Sequence, residues 1–309
     1  MSERADTRHL VDPQLLPLLD LLPPVRLDGQ GLEQTRAIFR TSAARGFGEA
    51  ISGGVARSEV IVPASPAVRV LVYRPETAAG ALPAIIHAHS GGYMLGSPEG
   101  REGANRHWCA SLGCVVVSVD YRLAPEAPYP AAIEDMVVVL DWMQSSAETL
   151  SIDPSRIVAM GESAGGGLCA GLALKARGRL AGQMLAYPML DDRTGINAPG
   201  PQGQFVWTRE NNVAAWDAVL NGHDAEPYVA PARANDLSGL PPAAILVGDL
   251  DLFLAEDIAY ATRLAEAGVP IAVHVYPGAF HAFDAMVSAN VAQRFRRDVE
   301  HALKRMMRK

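Results

Sequence analysis

The sequence predicts a mostly parallel, doubly wound α/β sheet of eight strands, and three observations carry that reading. Short continuous apolar runs recur at residues 84–89, 114–120, 156–160, 182–187 and 243–248. Such runs suit strands buried on both faces, as in a parallel sheet covered by helices. Helical stretches alternate with these runs, which is the rhythm of βαβ units. Gly161-Glu162-Ser163-Ala164-Gly165 then joins one strand directly to a helix of small residues. Ligands of such sheets bind outside the carboxyl ends of the strands, so residues in the loops that follow strands gather on one edge.

Taken in order, residues 1–9 are polar and mixed in charge, without the basic-then-apolar order of a signal peptide. The leucine-rich stretch 10–22 is interrupted by Asp12, Pro13, Pro17 and Asp20, and Pro23-Pro24 follow. It is too short and broken to span a bilayer, and no stable membrane anchor is expected. Residues 10–45 read as two loosely amphipathic helical pieces, with Leu15, Leu18, Leu19 and Leu22 and then Ile38 and Phe39 on their apolar sides. The β-branched runs 58–62 and 68–74 flank Pro63-Ala64-Ser65-Pro66 as a hairpin-like pair. The run 84–89, a helix near 103–112, the run 114–120 and a helix over 131–144 follow. The strand 156–160, the small-residue helix and the strand 182–187, ended by Pro188, complete the first alternation. Residues 191–235 break the rhythm with Gly195, Pro199, Gly200, Pro201 and Gly203, and hold one helix near 208–220. The alternation resumes with 243–248, a helix over 255–267 closed by Gly268 and Pro270, and a strand over 271–276. Val291, Phe295, Val299, Ala302 and Met306 recur at three- and four-residue spacing in a final helix. A chain of 309 residues is ample for one large core with an inserted subdomain.

The formal charge of −7 argues against nucleic acid or an anionic membrane surface as the main partner. The basic end Lys304, Arg305, Arg308 and Lys309 suits the carboxyl end of a helix dipole. Cys109, Cys114 and Cys169 lack metal-ligand spacing and sit in apolar or small-residue stretches. They read as buried thiols in a reducing compartment, so a cytoplasmic location is expected.

Ser163 stands on a sharp strand-to-helix turn, the setting of a nucleophile elbow. A serine hydroxyl is a poor nucleophile at neutral pH. It needs a base, and the base needs an orienting carboxylate. Both follow in chain order. Asp249, Asp251, Glu256 and Asp257 come after the strand ending at Val247, and His281 follows the last strand within Tyr276-Pro277-Gly278-Ala279-Phe280-His281-Ala282-Phe283. His89-Ser90-Gly91-Gly92-Tyr93 follows the third strand, and two successive glycines can aim backbone N–H groups at one point. Ala164, next to the serine, supplies another donor to the same oxyanion hole. His87 and His89 are spaced to share a strand face, but no third ligand accompanies them, so no metal and no cofactor is expected.

Together these motifs resemble the bacterial carboxylesterases similar to hormone-sensitive lipase (family IV), within the α/β-hydrolase fold. The resemblance rests on His89-Ser90-Gly91-Gly92, Asp120-Tyr121-Arg122-Leu123-Ala124-Pro125-Glu126, Gly161–Gly165, Asp251-Leu252-Phe253-Leu254 with Glu256, and His281-Ala282-Phe283, and it covers nearly the whole chain. It implies Ser163 as nucleophile, Asp251 as orienter, His281 as base, and Gly91, Gly92 and Ala164 as oxyanion donors. Asp249 is the alternative orienter. The stretch 120–126 is implied to brace the oxyanion loop, and Asp191, Asp192 and Arg193 read as a loop ion-pair cluster. Three positions depart from the family pattern: Ser90 replaces a glycine, Glu162 stands where Asp or Thr is common, and Ala255 replaces a second acid.

The resemblance further implies N-terminal cap helices over 1–50, a hydrolase core over 51–190 and 236–309, and a cap insertion over 191–235. Tyr93, Phe205, Trp207 and Trp216 are candidates for the lining of an acyl or alcohol pocket. The implied activity is hydrolysis of short-to-medium-chain carboxylic esters, with a small-molecule ester as partner and a homodimer compatible with the family. Two alternatives share the fold. One is a non-catalytic small-molecule receptor, as in the plant gibberellin receptors, which lack the histidine that His281 supplies here. The other is amide hydrolysis or acyl transfer by the same three residues.

Overall fold

The computed structural model describes residues 6–22, 25–43, 53–195 and 200–308. Its strands are β1 (Val55–Val62), β2 (Val68–Pro75), β3 (Leu82–Ala88), β4 (Val115–Val119), β5 (Ile152–Glu162), β6 (Gly182–Ala186), β7 (Ala243–Gly248) and β8 (Ile271–Tyr276). They form one sheet in the order β1-β2-β4-β3-β5-β6-β7-β8. The β1–β2 and β2–β4 pairs are antiparallel, and all pairings from β4 to β8 are parallel. Each of the eight runs read from the sequence coincides with a strand. The strand β5 begins earlier than its apolar run, because Ile152 pairs with Leu82 across a register shift. Pro83, which has no N–H to donate, sits at that shift.

Both faces of the sheet are covered. Ile86, Val117, Ala159 and Leu185 belong to a core beneath α4 (Ala131–Ser145) and α6 (Ala164–Lys175). Ile85, Val116, Val158 and Met184 face the opposite core with α3 (Glu102–Leu112) and α9 (Asn290–Met306). Alternate residues of a strand point to opposite faces, so a continuous apolar run serves both cores. Each fully buried Val, Leu or Ile contributes about 1.5–3 kcal/mol.

The helix α6 is buried on every side from Ala164 to Leu174, and this explains its small residues. A Cβ at Gly167 would lie 2.0 Å from the Met189 carbonyl oxygen, and one at Gly171 would lie 2.2 Å from that of Tyr228. All three cysteines are buried and free.

The N-terminal segment forms α1 (Leu16–Leu21) and α2 (Gly29–Ala43). Leu15 and Leu18 are buried in the second core, and Leu32 is buried in the first. The Asp12 N–H donates to the Gly278 carbonyl at 2.9 Å, which ties this segment to the loop after β8. Between β6 and β7 lies α7 (Arg209–Leu220), capped by Thr208, whose hydroxyl accepts from the Asn211 N–H. No strand occurs over 191–235 among the described residues. The Gly203 N–H donates to the Leu250 carbonyl at 3.2 Å and Asn211 Nδ2 donates to the Val25 carbonyl at 3.0 Å. Pro23-Pro24, residues 44–45, Pro199 and the junction at 50–51 lie outside the described residues. Among the described residues, no helix is long and apolar enough to cross a membrane.

Candidate active site

The turn from β5 to α6 has almost no room. A Cβ at Gly161 would lie 2.3 Å from the Gly165 carbonyl oxygen, and a Cβ at Gly165 would lie 2.1 Å from that of Ala88. The glycines therefore flank Ser163 because backbone occupies the space where side chains would go. Ser163 itself has φ 56° and ψ −121°, a conformation that costs a non-glycine residue about 1–3 kcal/mol. Backbone bonds hold it there: its N–H donates to Ala186 at 2.9 Å, and its carbonyl accepts from Gly167 and Met189 at 3.0 Å each.

His281 reaches the serine from the loop after β8. Its Nε2 lies 2.9 Å from Ser163 Oγ, and its Nδ1 lies 2.8 Å from Asp251 Oδ2. With Asp251 ionised, Nδ1 carries the proton, which leaves Nε2 to accept from the serine hydroxyl. The other Asp251 oxygen accepts from the Phe253 N–H at 3.0 Å. All three side chains are buried. The rings of Tyr187 and Phe253 meet the imidazole edge-on at 4.9 and 5.3 Å. The loops that carry Asp251 and His281 are bonded to one another, through Asp249 N–H to Tyr276 and Leu250 N–H to Ala279.

This geometry separates the four carboxylates. Asp249 accepts from the Gly278 N–H at 2.8 Å and so braces the histidine loop through its backbone. Glu256 accepts from the Leu190 N–H at 2.6 Å. Asp257 is fully buried, and neither of its oxygens has a hydrogen-bond partner among the described residues. Only Asp251 meets the imidazole.

The loop after β3 turns back on itself. Gly91 has φ 132° and Gly92 has φ 58°, values that favour glycine. A Cβ on Gly91 would lie 2.2 Å from the Leu95 carbonyl oxygen. Ser90 has no such positive φ, which is why a side chain is tolerated at that departure from the family pattern. Among the described residues, the N–H groups of Gly91, Gly92 and Ala164 find no acceptor.

The stretch 120–126 holds this loop from behind. The Tyr121 hydroxyl donates to the His89 carbonyl at 2.7 Å, and the two rings stack at 4.2 Å. Burial brings the His89 pKa down to about 4, so the ring is neutral at pH 7, and its Nδ1–H donates to the Ser90 carbonyl. The Ala124 N–H donates to the Tyr93 carbonyl at 2.9 Å. Arg36 of α2 donates to the carbonyls of Met94 and Ala124 and forks onto Glu126. Of the expected loop ion-pair cluster, Arg193 pairs locally with Asp191, whereas Asp192 pairs with Arg233 from the far end of the segment between β6 and β7.

The four aromatic candidates divide. The ring of Trp207 fills the space beside Gly92 and lies 6.3 Å from that of His281. Tyr93 and Trp216 are buried side by side, their rings 6.1 Å apart. Phe205 packs instead on Phe280. An apolar cleft beside Tyr93 is lined by Ala124, Ile133, Leu168, Val219 and Tyr228.

Two roles escaped sequence reasoning, one of them at Glu162, which the sequence marked only as a departure from the family pattern. Glu162 turns away from the serine into a buried charge network with Arg101, His87 and Asp284. Tyr187, at φ 37°, packs on His281. Tyr187 sits in no pattern that spacing alone would single out, and the partners of Glu162 lie far from it along the chain. Ala255, the third departure, is exposed, so the acid it replaces would face outward. His87 spends its nitrogens on Ser118 and Glu162, and no group of three His, Cys, Asp or Glu side chains among the described residues could hold a metal.

Comparison with known proteins agrees with this geometry. A family model described as alpha/beta hydrolase fold matches residues 85–285. The chain is 32% identical over 286 residues to the esterase LipI of Mycobacterium tuberculosis, covering 89% of this chain and 88% of that one. It is 33% identical over 299 residues to the carboxylesterase NlhH of Mycobacterium tuberculosis, covering 92% of both. Among solved structures, a bacterial heroin esterase superposes with a TM-score of 0.92 at 33% identity, covering 98% of this chain and 100% of that one. The chain belongs to the α/β-hydrolase family, in the branch similar to hormone-sensitive lipase.

Proposed function

We propose that the chain is a serine carboxylesterase that hydrolyses short-to-medium-chain esters through an acyl-enzyme. The observation that carries this reading is the line Asp251–His281–Ser163, joined at 2.8 and 2.9 Å. The relatives named as esterases and carboxylesterases support the same chemistry.

In this mechanism Ser163 Oγ adds to the ester carbonyl carbon while His281 Nε2 takes its proton. The displaced electron pair settles on the carbonyl oxygen, which accepts from Gly91, Gly92 and Ala164. One such donor is worth about 100- to 1,000-fold in rate. Asp251 stabilises the imidazolium, which gives its proton to the departing alkoxide as the ester C–O bond breaks. Water then enters, loses a proton to His281 and attacks the acyl carbon. Collapse of the second tetrahedral adduct returns the proton to Ser163 and releases the carboxylic acid.

Residues 1–50 and 191–235 act as a cap in this reading, which the packing of Trp207 beside Gly92 and the Gly203–Leu250 bond support for the second segment. Tyr93, Trp207 and Trp216 are the better candidates for the pocket wall, with Phe205 further off beside Phe280. A homodimer is proposed through the edge strand β8, where Val273 and Val275 are 42% and 43% exposed. Three buried free thiols suit the cytoplasm.

Purified Ser163→Ala assayed on p-nitrophenyl acetate and butyrate is the test. Loss of turnover is expected, and wild-type turnover would overturn the reading. A p-nitrophenyl ester series is expected to peak at about two to six acyl carbons.

A further inference from the structure

We propose that Arg101 is a positioning residue that sets the distance between Ser163 and His281 from behind the active site, an inference that rests on the esterase reading above. Arg101 ends the 3-10 turn Pro98–Arg101 just before α3. Its side chain is 11% exposed and its Nη2 meets two carboxylates from different parts of the chain. Glu162 Oε1 accepts at 2.7 Å and Asp284 Oδ2 accepts at 3.3 Å.

Those partners matter because of what each is attached to. Glu162 immediately precedes Ser163, and Asp284 follows His281 by three residues. Asp284 Oδ1 also accepts from the Tyr187 hydroxyl at 2.6 Å, and the Tyr187 ring packs on the His281 imidazole. One guanidinium therefore ties the end of the nucleophile strand to the loop and the ring that hold the base. Glu162 Oε2 accepts in turn from His87 Nε2 at 3.2 Å, which fixes it to β3.

Glu162 and Asp284 are both buried, at 1% and 6% exposure. Two buried carboxylates on facing segments repel unless a cation lies between them. Arg101 is that cation, and both carboxylates converge on its Nη2. Burial pushes the Glu162 carboxyl upward, but the charges of Arg101 and His87 outweigh this and hold it down near 2. The three charged groups line one enclosed cavity together with Trp108, Phe295 and Arg296, on the side of the sheet away from the cleft beside Tyr93. Arg101 acts there without touching substrate.

The experiment measures kcat and KM of Arg101→Met on p-nitrophenyl butyrate, per active site counted by end-point fluorophosphonate labelling. Counting sites removes any loss due to unfolded protein. A fall of about ten-fold or more in kcat per site, with KM within about two-fold, is expected for a displaced base. The triple variant Arg101→Met/Glu162→Gln/Asp284→Asn removes the repulsion and is expected to recover most of that loss. An unchanged kcat per site, or a loss that the triple variant does not recover, overturns the proposal. Should Arg101→Met not accumulate folded, Arg101→Lys carries the same test. It keeps the charge, but its ammonium sits one bond nearer the main chain than Nη2 and falls short of the point where the two carboxylates converge, so a fall of about three-fold or more is expected and an unchanged value overturns the proposal. Ser163→Ala separates this outcome from failure of the esterase reading itself.

Discussion

The indole of Trp207 occupies the space that any side chain at Gly92 would need: a Cβ there would lie 2.1 Å from its Cη2 atom. The segment between β6 and β7 and the Gly91-Gly92 turn are thus fitted to each other at a single glycine. Gly92→Ala must displace the indole and also strain a φ of 58°. A fall of about 100-fold in kcat is expected, in line with loss of one oxyanion donor. Steady-state kinetics with tryptophan fluorescence checks both consequences, and an unchanged kcat would refute the role given to Gly92.

The two neighbouring aspartates after β7 should behave very differently. Asp251→Asn leaves His281 in the wrong tautomer, so kcat is expected to fall about 1,000-fold or more. Asp249 accepts from backbone N–H groups, that of Gly278 foremost, which the amide oxygen of Asn can also accept. Asp249→Asn is expected to stay within about three-fold of wild type. Equal losses in the two variants, measured as kcat/KM on one ester, would count against the assignment of Asp251.

Asp257 offers a test by pH. Burial first, then the charges of Glu256 and Asp251, raise its pKa well above the ordinary 3.8. The folded state therefore keeps a proton that the unfolded state loses above about pH 4, and stability falls as pH rises past that point. Asp257→Asn resembles the protonated acid and removes this dependence. It is expected to raise stability by about 1–3 kcal/mol near pH 8 and to change little near pH 4. Denaturant melts at the two pH values decide it, and destabilisation at pH 8 would contradict the claim.

Glu162 has the opposite sign. Its carboxyl is held near 2 against an ordinary 4.5, burial being outweighed by Arg101 and His87. Its contribution is fully present above about pH 4.5 and is lost as pH falls through about 2. A shift of that size corresponds to about 3 kcal/mol. Glu162→Gln is expected to lose an amount of that order at neutral pH, with the gap to wild type narrowing in acid. Urea melts at pH 7 and in acid measure it, and a gap that widens in acid would reverse the sign.

The sequence by itself determined the sheet and the chain order of the site. Continuous apolar runs marked the five central strands β3 to β7, because a strand buried on both faces has no polar alternation to confuse it, while β1 and β2 were legible as β-branched runs on either side of a proline-rich turn. Gly161 and Gly165 marked the elbow, because backbone fills the space around them and no other residue type fits. His281 was legible from its place after the last strand. The resemblance singled out Asp251, but residue type and spacing by themselves could not decide among chemically equivalent groups. Asp249, Asp251, Glu256 and Asp257 are all acids on one loop and helix, and only the folded loop bonds between Asp249 and Tyr276 and between Leu250 and Ala279 turn Asp251 toward the imidazole. Arg101 lies 61 residues from Glu162 and 183 from Asp284, so no local pattern joins them. Their meeting depends on β5, α3 and the loop after β8 packing around one cavity, a condition set by tertiary structure alone. Periodicity and backbone sterics are local and can be read from the chain, whereas electrostatic partners are chosen by packing.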